Sequence, residues 1–183
     1  LNSAAINITQ RVLNSSGSKI YDANTNALAG AITLSNLVSG EALNHSGTAT
    51  ISSANAGSYT ITNLAGITIA DGSGGAASNY TLTGGTHNFT VNRRPLNATL
   101  ARQYDGTTTS AGSTLSSLDA LQGGETLTMT GSGTAASANV ANGITMSSNG
   151  NLALADGTGA ASNYSLNSTV INVTQRPISL SGT

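Results

Sequence analysis

Apolar and polar residues alternate along three stretches of the chain, and each stretch leads into an arginine near its end. The three stretches cover residues 6–12, 89–95 and 171–177. Alternation with a period of two predicts a β-strand in each, with Ile6 and Ile8 on one face of the first. Phe89 lies 83 positions after Ile6, and Ile171 lies 82 positions after Phe89. A regular repeat of this length predicts a tandem array of small domains.

The repeat divides the chain into two predicted domains, residues 11–92 and residues 93–174. We interpret residues 1–10 as the end of a preceding repeat and residues 175–183 as the start of a following one. Each domain has roughly 80 residues, which is near the lower end of ordinary domain sizes and allows only a modest core. No flexible linker is evident between the domains, and Pro95 restricts the backbone at their junction. We therefore expect an elongated, end-to-end arrangement.

Further segments of the two domains also predict local structure. Residues 14–18 are rich in turn-forming residues and predict a turn. A basic-x-Tyr-Asp segment, at 19–22 and 102–105, predicts a short extended piece that buries the tyrosine ring, with the aspartate capping the next turn. Leu115, Leu118 and Leu121 are spaced as on one helical turn. Other strands are predicted at residues 31–37, 48–51, 59–62, 67–69, 127–129, 144–146 and 152–154.

The short strands and frequent turns predict a mainly β fold. We expect each domain to contain about six or seven short antiparallel strands in an immunoglobulin-like sandwich. The alternative is a β-grasp-like α+β domain in which residues 115–121 form one short helix. Periodicity does not separate the two, because strand order and pairing are not visible in a single sequence.

The composition favours a folded chain with a neutral, hydroxyl-rich surface. Hydrophobic residues make up 38% of the chain, aromatic residues 3% and charged residues 7%, with a formal net charge of −1. The 6 basic residues form no broad patch, so no nucleic-acid partner is expected. No apolar run approaches transmembrane length, so no membrane insertion is expected. The absence of cysteine, together with abundant Thr, Asn and Gly, fits an exported bacterial surface protein.

Candidate chemistry is sparse. Six acidic residues recur in matched pairs, which are Asp22 with Asp105, Glu41 with Glu125, and Asp71 with Asp156. They lack the clustering of calcium ligands, and three of the aspartates precede glycine, so turn capping is the favoured role. His45 and His87 have no cysteine or repeated acid near them and are predicted to be exposed. The loop Gly72–Gly75 lacks the Lys-Ser/Thr ending of a phosphate-binding loop.

Lys19 is the only lysine. An intramolecular isopeptide bond to Asn or Asp would need it, but Arg102 occupies the matching place and cannot react in that way. A salt bridge or a packing role is therefore favoured. No Gly-x-Ser-x-Gly nucleophile motif occurs. We predict no catalytic residue, no metal site, no bound cofactor and no enzyme activity.

Asn-x-Ser/Thr sequons are frequent, as chance predicts for a chain so rich in Asn and Thr. For any one of them the unmodified state is the favoured prediction. The sequon asparagines are Asn7, Asn14, Asn44, Asn79, Asn88, Asn97, Asn163, Asn167 and Asn172.

Taken together, these motifs resemble the YDG/MBG repeat domains of large secreted bacterial exoproteins, which include filamentous-haemagglutinin-like adhesins exported by two-partner secretion. The motifs are Arg94-Pro95 before a strand, the turn Arg102–Gly106, the pair Gly124-Glu125, the triplet Gly57-Ser58-Tyr59, and an Ala-Ser-Asn-Tyr segment ending at Tyr80 and at Tyr164. The first domain departs from the family at Ala23, where Gly is expected, and at Val12, where Pro is expected.

The resemblance implies an elongated extracellular stalk that holds a distal binding region of an adhesin away from the bacterial cell. Its partners would be neighbouring repeats of the same chain. The alternative is a module of a biofilm or host adhesin that binds an extracellular glycan or matrix directly. Exposed aromatic rings on one face would favour that alternative.

Overall fold

The computed structural model describes residues 5–180 and is mainly β, as predicted. Strands account for 54% of the structure, and no helix reaches 7 residues. The helical segments are single 3-10 turns at Ala29–Ala31, Ala77–Asn79, Gly112–Thr114 and Ala161–Asn163. Within residues 5–180, no helix has the length and apolar character that crossing a membrane requires.

The chain forms two compact units, Leu1–Asn92 and Arg93–Thr183. The strands of unit 1 are β1 (Arg11–Val12), β2 (Asn14–Ile20), β3 (Asn26–Leu28), β4 (Ile32–Ser35), β5 (Leu43–Ile51), β6 (Gly57–Asn63), β7 (Ile67–Asp71), β8 (Tyr80–Thr81) and β9 (His87–Asn92). Those of unit 2 are β10 (Arg94–Gln103), β11 (Thr109–Ala111), β12 (Leu115–Leu118), β13 (Leu127–Thr130), β14 (Ser132–Ala135), β15 (Ala141–Ser148), β16 (Ala153–Asp156) and β17 (Tyr164–Thr174).

Unit 1 has a curled sheet in the order β3-β5-β6-β9-β2-β4, and β7 joins it by pairing with β5. The first long strand, β2, and the last, β9, lie side by side at its centre and run in parallel. Their outer neighbours, β4 and β6, run antiparallel to them. The short strands β1 and β8 extend the parallel pairing. The beginning and end of the unit therefore meet in the middle of its sheet.

Unit 2 repeats this topology with β11-β14-β15-β17-β10-β12 and a separate pair β13-β16. Here β10 spans the counterparts of β1 and β2, and β17 spans those of β8 and β9. These two strands pair in parallel from Arg94 opposite Tyr164 to Gln103 opposite Thr174. The same order of pairing in both units confirms that the sequence repeat is a structural repeat.

A glycine lets one strand serve two sheets at a corner of each unit. Residues Leu43–Gly47 of β5 pair with β7, whereas Thr48–Ile51 pair with β3 and β6. Gly47 at the bend has φ 98°, and Gly131, its counterpart between β13 and β14, has φ 78°. L-residues with a side chain rarely adopt such positive φ values.

Two details of the predicted fold are wrong. The strands are not all antiparallel as predicted, because each unit pairs its first and last long strands in parallel. The short helix of the β-grasp-like alternative is also missing, because Leu115–Leu118 forms the edge strand β12 against β10. Pairing with a neighbouring strand overrides the helical spacing of the leucines at this place.

Two local predictions near the beginning of the chain are also wrong. Residues 14–18, predicted as a turn, belong to β2, which is hydrogen-bonded on both sides by β4 and β9. Residues 6–10, predicted as part of a strand that runs to Arg11, are exposed and form no strand. The first strand begins only at Arg11. The counterparts of residues 6–10 in β9 pair with β2 and β6, and no such flanking strands accompany residues 5–10 in the described chain.

The core of each unit lies on one face of the central parallel pair. In unit 2, fully or almost fully buried side chains form one cluster, consisting of Ala98, Leu100, Met129, Ala135, Ile144, Ile171 and Val173. In unit 1 the corresponding buried residues include Leu13, Ala49, Ile51, Phe89 and Val91, of which Phe89 lies opposite Gly17 in the parallel pair. Burial of aliphatic area supplies the main stabilisation of such small cores.

Candidate functional site

A buried tyrosine is bonded to a glutamate in both units. Tyr80 and Tyr164 are 3% and 2% exposed. The Tyr80 hydroxyl donates to the Glu41 carboxylate and accepts from the Val38 N–H at 3.1 Å. The Tyr164 hydroxyl likewise donates to Glu125 and accepts from the Gln122 N–H at 3.1 Å. We call this the Tyr–Glu anchor, because it fixes the loop after the edge strand to the last part of the sheet.

The anchor changes the acidity of both tyrosines. The hydrogen bond to Glu41 raises the pKa of Tyr80 above its ordinary value. Burial, followed by the hydrogen bond to Glu125, raises the pKa of Tyr164. Both phenols therefore remain neutral hydrogen-bond donors around neutral pH and do not act as bases there.

An open cleft of about 510 Å³ lies beside the anchor of unit 1, between residues 8–11 and Ser78–Tyr80. The Arg11 guanidinium at its edge donates from Nε to the Asn36 carbonyl at 2.6 Å and from Nη2 to Asn36 Oδ1 at 2.8 Å. The charged groups of the cleft thus hold neighbouring segments of the chain.

The basic-x-Tyr-Asp segment forms a second shared constellation. Lys19 Nζ contacts Asp22 Oδ1 at 2.8 Å, and it donates to the backbone oxygens of Asn24 at 2.7 Å and Asn26 at 2.8 Å. Arg102 does the same in unit 2 by donating to the Asp105 carboxylate and to the Thr107 carbonyl. The predicted salt bridge is confirmed. The cation holds the turn in both units, although the buried Nε of Arg102 has no hydrogen-bond partner among the described residues.

The paired aspartates accept hydrogen bonds from backbone N–H groups in turns, as predicted. Asp71 Oδ1 accepts from Ala77 N, and Asp156 Oδ1 accepts from Ala161 N, each at 2.7 Å. Asp105 Oδ1 accepts from Thr107 N at 2.9 Å, and this bond is the main cause of the lowered pKa of Asp105. Within residues 5–180 no three acidic or histidine side chains are grouped as ligands of one metal ion.

The predicted exposure of the two histidines is wrong. His87 is 8% exposed, and its ring lies between two partners: Nδ1 is 2.9 Å from Ser15 Oγ, and Nε2 is 2.8 Å from the Leu82 carbonyl. A carbonyl only accepts, so Nε2 carries a proton, and in that tautomer Nδ1 accepts from the serine hydroxyl. His45 is half-buried, with Nε2 near the Ala29 and Ile32 carbonyls.

The bond between Ser15 and His87 has the arrangement of a nucleophile and its base, yet its surroundings are those of a core. Ser15 is 4% exposed. In the parallel register Ser15 lies opposite His87, and the matching positions of unit 2 are Ala98 opposite Thr169. The pair is therefore buried and unrepeated, and it satisfies two polar side chains inside unit 1.

The structure also places the sequon asparagines, the glycine-rich loop and the two tyrosines of the basic-x-Tyr-Asp segments. Asn163 is 2% exposed, while its counterpart Asn79 is exposed, so the sequons differ in access to their asparagines. Gly72 N–H donates to the Gly75 carbonyl at 3.0 Å within a turn of the chain. Tyr21 is buried as predicted, but Tyr104 is 40% exposed, and the prediction for unit 2 is wrong.

Sequence reasoning missed the pairing of Ser15 with His87. Alternation gave no signal here, because residues 14–19 are all polar or glycine. Ser15 is recognised as inward-facing only once these residues are known to form a strand that continues the period of two from buried Leu13. The partner, 72 positions away, follows only from the parallel register.

The chain matches the YDG domain family over residues 4–87 and 92–171. Comparison with curated proteins and with solved structures finds no significant match. The two matched segments correspond to the two structural units and include the Tyr–Glu anchor and the basic-x-Tyr-Asp turn of each. The chain therefore belongs to the YDG domain family, of which it contains two copies.

Proposed function

We propose that this chain is a stalk segment of a secreted or cell-surface bacterial adhesin of the filamentous-haemagglutinin-like, two-partner secretion type. Its task is mechanical, and it holds a distal binding region away from the cell. Its partners are neighbouring repeats of the same polypeptide, and it performs no enzymatic reaction. Residues 1–10 and 175–183 belong, in this proposal, to the repeats before and after it.

The proposal rests on the features that the two units share. Both repeat the Tyr–Glu anchor and the salt-bridged turn, and each of these bonds ties one part of the backbone to another. The buried pair with the chemistry of a nucleophile and base, Ser15 with His87, occurs in unit 1 alone. Features kept in both copies support a scaffold role.

The connection between the units also supports the proposal. One residue, Arg93, separates the last strand of unit 1 from the first strand of unit 2. Pro95 follows within β10 and fixes its own φ. The connection therefore contains no Gly/Ser-rich linker of the kind that behaves as a flexible coil.

Small-angle X-ray scattering on the chain tests the proposal. We expect a skewed distance distribution with a maximum dimension about twice that of one unit. The matched control is a variant with a flexible Gly-Ser segment inserted after Arg93, which should broaden the distribution. A compact profile that the insertion leaves unchanged would contradict the stalk.

Direct glycan or matrix binding is the second candidate, and the exposure of Tyr104 favours it. The ring borders an open cleft of about 620 Å³ that also contains Gln175 and Arg176. Sugars commonly stack on exposed aromatic rings beside polar groups. A glycan array with the chain and with Tyr104→Ala tests this candidate, which requires a signal that the substitution abolishes.

A further inference from the structure

The strands that carry the chain into and out of each unit are direct neighbours. We call them the terminal pair, which is β2 with β9 in unit 1 and β10 with β17 in unit 2. In unit 2 the chain enters at Arg94, which lies opposite Tyr164. It leaves at Thr174, which lies opposite Gln103. The entry and the exit are therefore at opposite ends of a parallel pair, and the 10 residues of β10 separate them by roughly 30 Å.

Unit 1 has the same arrangement in two shorter runs. Arg11–Val12 pair in parallel with Tyr80–Thr81, and Ser15–Ile20 pair in parallel with His87–Asn92. Residues 82–86 interrupt the last strand between the two runs. In unit 2 the last strand, β17, is continuous over 11 residues. The terminal pair of unit 2 is therefore longer than that of unit 1 and has no such interruption.

An asparagine of the entering strand adds bonds across the terminal pair in both units. Asn14 Oδ1 accepts from the Thr86 N–H at 2.8 Å. Asn97 lies 83 positions later, and its Oδ1 accepts from Ser168 Oγ at 2.6 Å and from Asn167 Nδ2 at 3.0 Å. Side-chain bonds thus reinforce the backbone bonds between the strand that enters a unit and the segment that leaves it.

We propose that the terminal pair of each unit is a mechanical clamp that resists tension applied along the chain. Tension pulls the entering strand toward the start of the chain and the leaving strand toward its end. Because the two strands are parallel neighbours, they are pulled past each other along their own axes, and their evenly spaced hydrogen bonds must yield together. In an antiparallel pair the entry and the exit would lie at the same end, and the bonds would break one at a time. The inference rests on the proposed function, because a stalk that joins a cell to a bound surface is under such tension.

Unfolding of unit 2 by optical tweezers in two pulling directions tests the clamp. The chain has no cysteine, so two introduced cysteines define the points of attachment. Arg93→Cys with Gln175→Cys pulls the terminal pair along its strands, whereas Arg93→Cys with Ser162→Cys pulls both strands from the same end. All three replaced residues are exposed. We expect a several-fold higher unfolding force in the first variant, because forced unfolding is governed by the barrier to unfolding and not by the equilibrium stability.

Chemical denaturation of the two variants is the matched control. It should give the same stability for both, so that the direction of pulling is the only difference between them. Asn97→Ala, added to the first variant, should lower its unfolding force, because the side-chain bonds across the pair are lost. Equal unfolding forces in the two directions would overturn the proposal.

Unit 1 provides a second comparison. Thr9→Cys with Arg93→Cys pulls its terminal pair along the strands, and we expect a lower unfolding force than for unit 2, because the pair is interrupted. A unit 1 that withstands more force than unit 2 would contradict the clamp. Scattering reports on the stalk separately, because each clamp is measured within one unit. A compact profile would contradict the stalk and leave the clamp in place, whereas equal forces in both directions would do the reverse.

Discussion

Units 1 and 2 build the same sheet with different residues at its centre. Gly17 lies opposite Phe89 in the parallel pair of unit 1, and Leu100 lies opposite Ile171 in that of unit 2. A Cβ on Gly17 would approach the Phe89 ring to 2.7 Å, so the absence of a side chain leaves room for the ring. Unit 2 fills a similar space with two aliphatic side chains. The same strand pair therefore accepts either one large ring beside a glycine or two aliphatic side chains.

A difference in strand register accompanies the exchange. In unit 1, β2 and β4 pair regularly, with Gly17 opposite Ile32. In unit 2 the pairing of β10 with β12 shifts between Thr99 and Leu100, so that one extra residue is accommodated in the edge strand. Such a bulge changes the local path of an edge strand. The larger residue at position 100 thus coincides with a rearranged edge.

The buried polar pair of the central strands also differs between the two units. Ser15 and His87 satisfy each other in unit 1, whereas unit 2 has Ala98 and Thr169. The buried Thr169 Oγ1 has no hydrogen-bond partner within the described residues. By contrast, the Tyr–Glu anchor is the same in both units. The comparison separates a fixed set of backbone-holding bonds from a core that accepts alternative fillings.

Exchange of the central residues should have the largest effect on stability. Leu100→Gly removes a fully buried side chain and should lower the free energy of unfolding of unit 2 by about 4 kcal/mol. Gly17→Leu should destabilise unit 1 by about 3 kcal/mol, because its Cβ would lie 2.3 Å from the Ala31 carbonyl oxygen. Hydrogen exchange with mass spectrometry on peptides of each unit measures both changes separately.

A double variant tests whether the Phe89 ring alone causes the destabilisation expected for Gly17→Leu. Gly17→Leu with Phe89→Ile reproduces the residue pair of unit 2 in unit 1. We expect it to recover only part of the loss, because the Ala31 carbonyl stays in place without the bulge of unit 2. Complete recovery would contradict the role assigned to the edge strand.

The Tyr–Glu anchor should behave alike in the two units. Tyr80→Ala should cost about 3 kcal/mol, because a buried ring is lost. Tyr80→Phe and Tyr164→Phe keep the ring but leave a carboxylate and a backbone N–H without this partner, and each should cost about 2 kcal/mol. Thermal unfolding with unit-resolved exchange measures the three variants. A cost confined to one unit would show that the anchor is not a common support.

The sequence predicted those strands whose alternation is local. Thr48–Ile51, Tyr59–Thr62 and Ile67–Ile69 lie within β5, β6 and β7. Residues 14–18 were misjudged because their turn propensity is overridden by two neighbouring strands. The parallel central pair was invisible because it joins the two ends of a unit, and nothing in a single sequence records that register.

The site residues divide in the same way. The turn caps at Asp71 and Asp105 and the ion pair of Lys19 were predictable, because their partners lie within six positions along the chain. The burial of His87 depends on residues 72 positions away. Likewise, the exposure of Tyr104 depends on what surrounds its turn, which its own motif does not determine.

The polar pair predicts opposite outcomes in the two units. Ser15→Ala should destabilise unit 1 by about 1 kcal/mol, because buried Nδ1 of His87 loses its partner. Thr169→Val should stabilise unit 2 by about 1 kcal/mol, because it removes a buried hydroxyl without a partner and keeps the shape of the side chain. Chemical denaturation of each variant measures the change. Destabilisation by Thr169→Val would show that the hydroxyl has a partner in solution.

Substitutions in the turn that follows Tyr21 in unit 1 and Tyr104 in unit 2 should have a smaller effect on stability. Ala23 has φ 61°, and its counterpart Gly106 has φ 79°. Ala23→Gly should stabilise unit 1 by about 0.5 kcal/mol, because relief of the left-handed strain exceeds the entropy cost of glycine. Gly106→Ala should destabilise unit 2 by about 1 kcal/mol. Equal stability of all variants would show that the turn relaxes to another conformation.

The smallest expected difference depends on pH and distinguishes unit 2 from unit 1. Asp119 Oδ1 accepts from Asn97 N at 2.6 Å, and this bond is the main cause of the lowered pKa of Asp119. The register places Ser35 at the corresponding position in unit 1. Because the folded-state pKa lies below the unfolded-state value, the contribution of Asp119 is complete above that value and is lost as the pH falls through the folded-state pKa. As the pH falls from about 7 to about 3, unit 2 should therefore lose protection from hydrogen exchange. The variant Asp119→Asn should lose less protection, and its remaining loss reflects Asp105, whose pKa is also lowered. Identical pH profiles of the chain and of this variant would show that the carboxylate is not a net support of the edge strand.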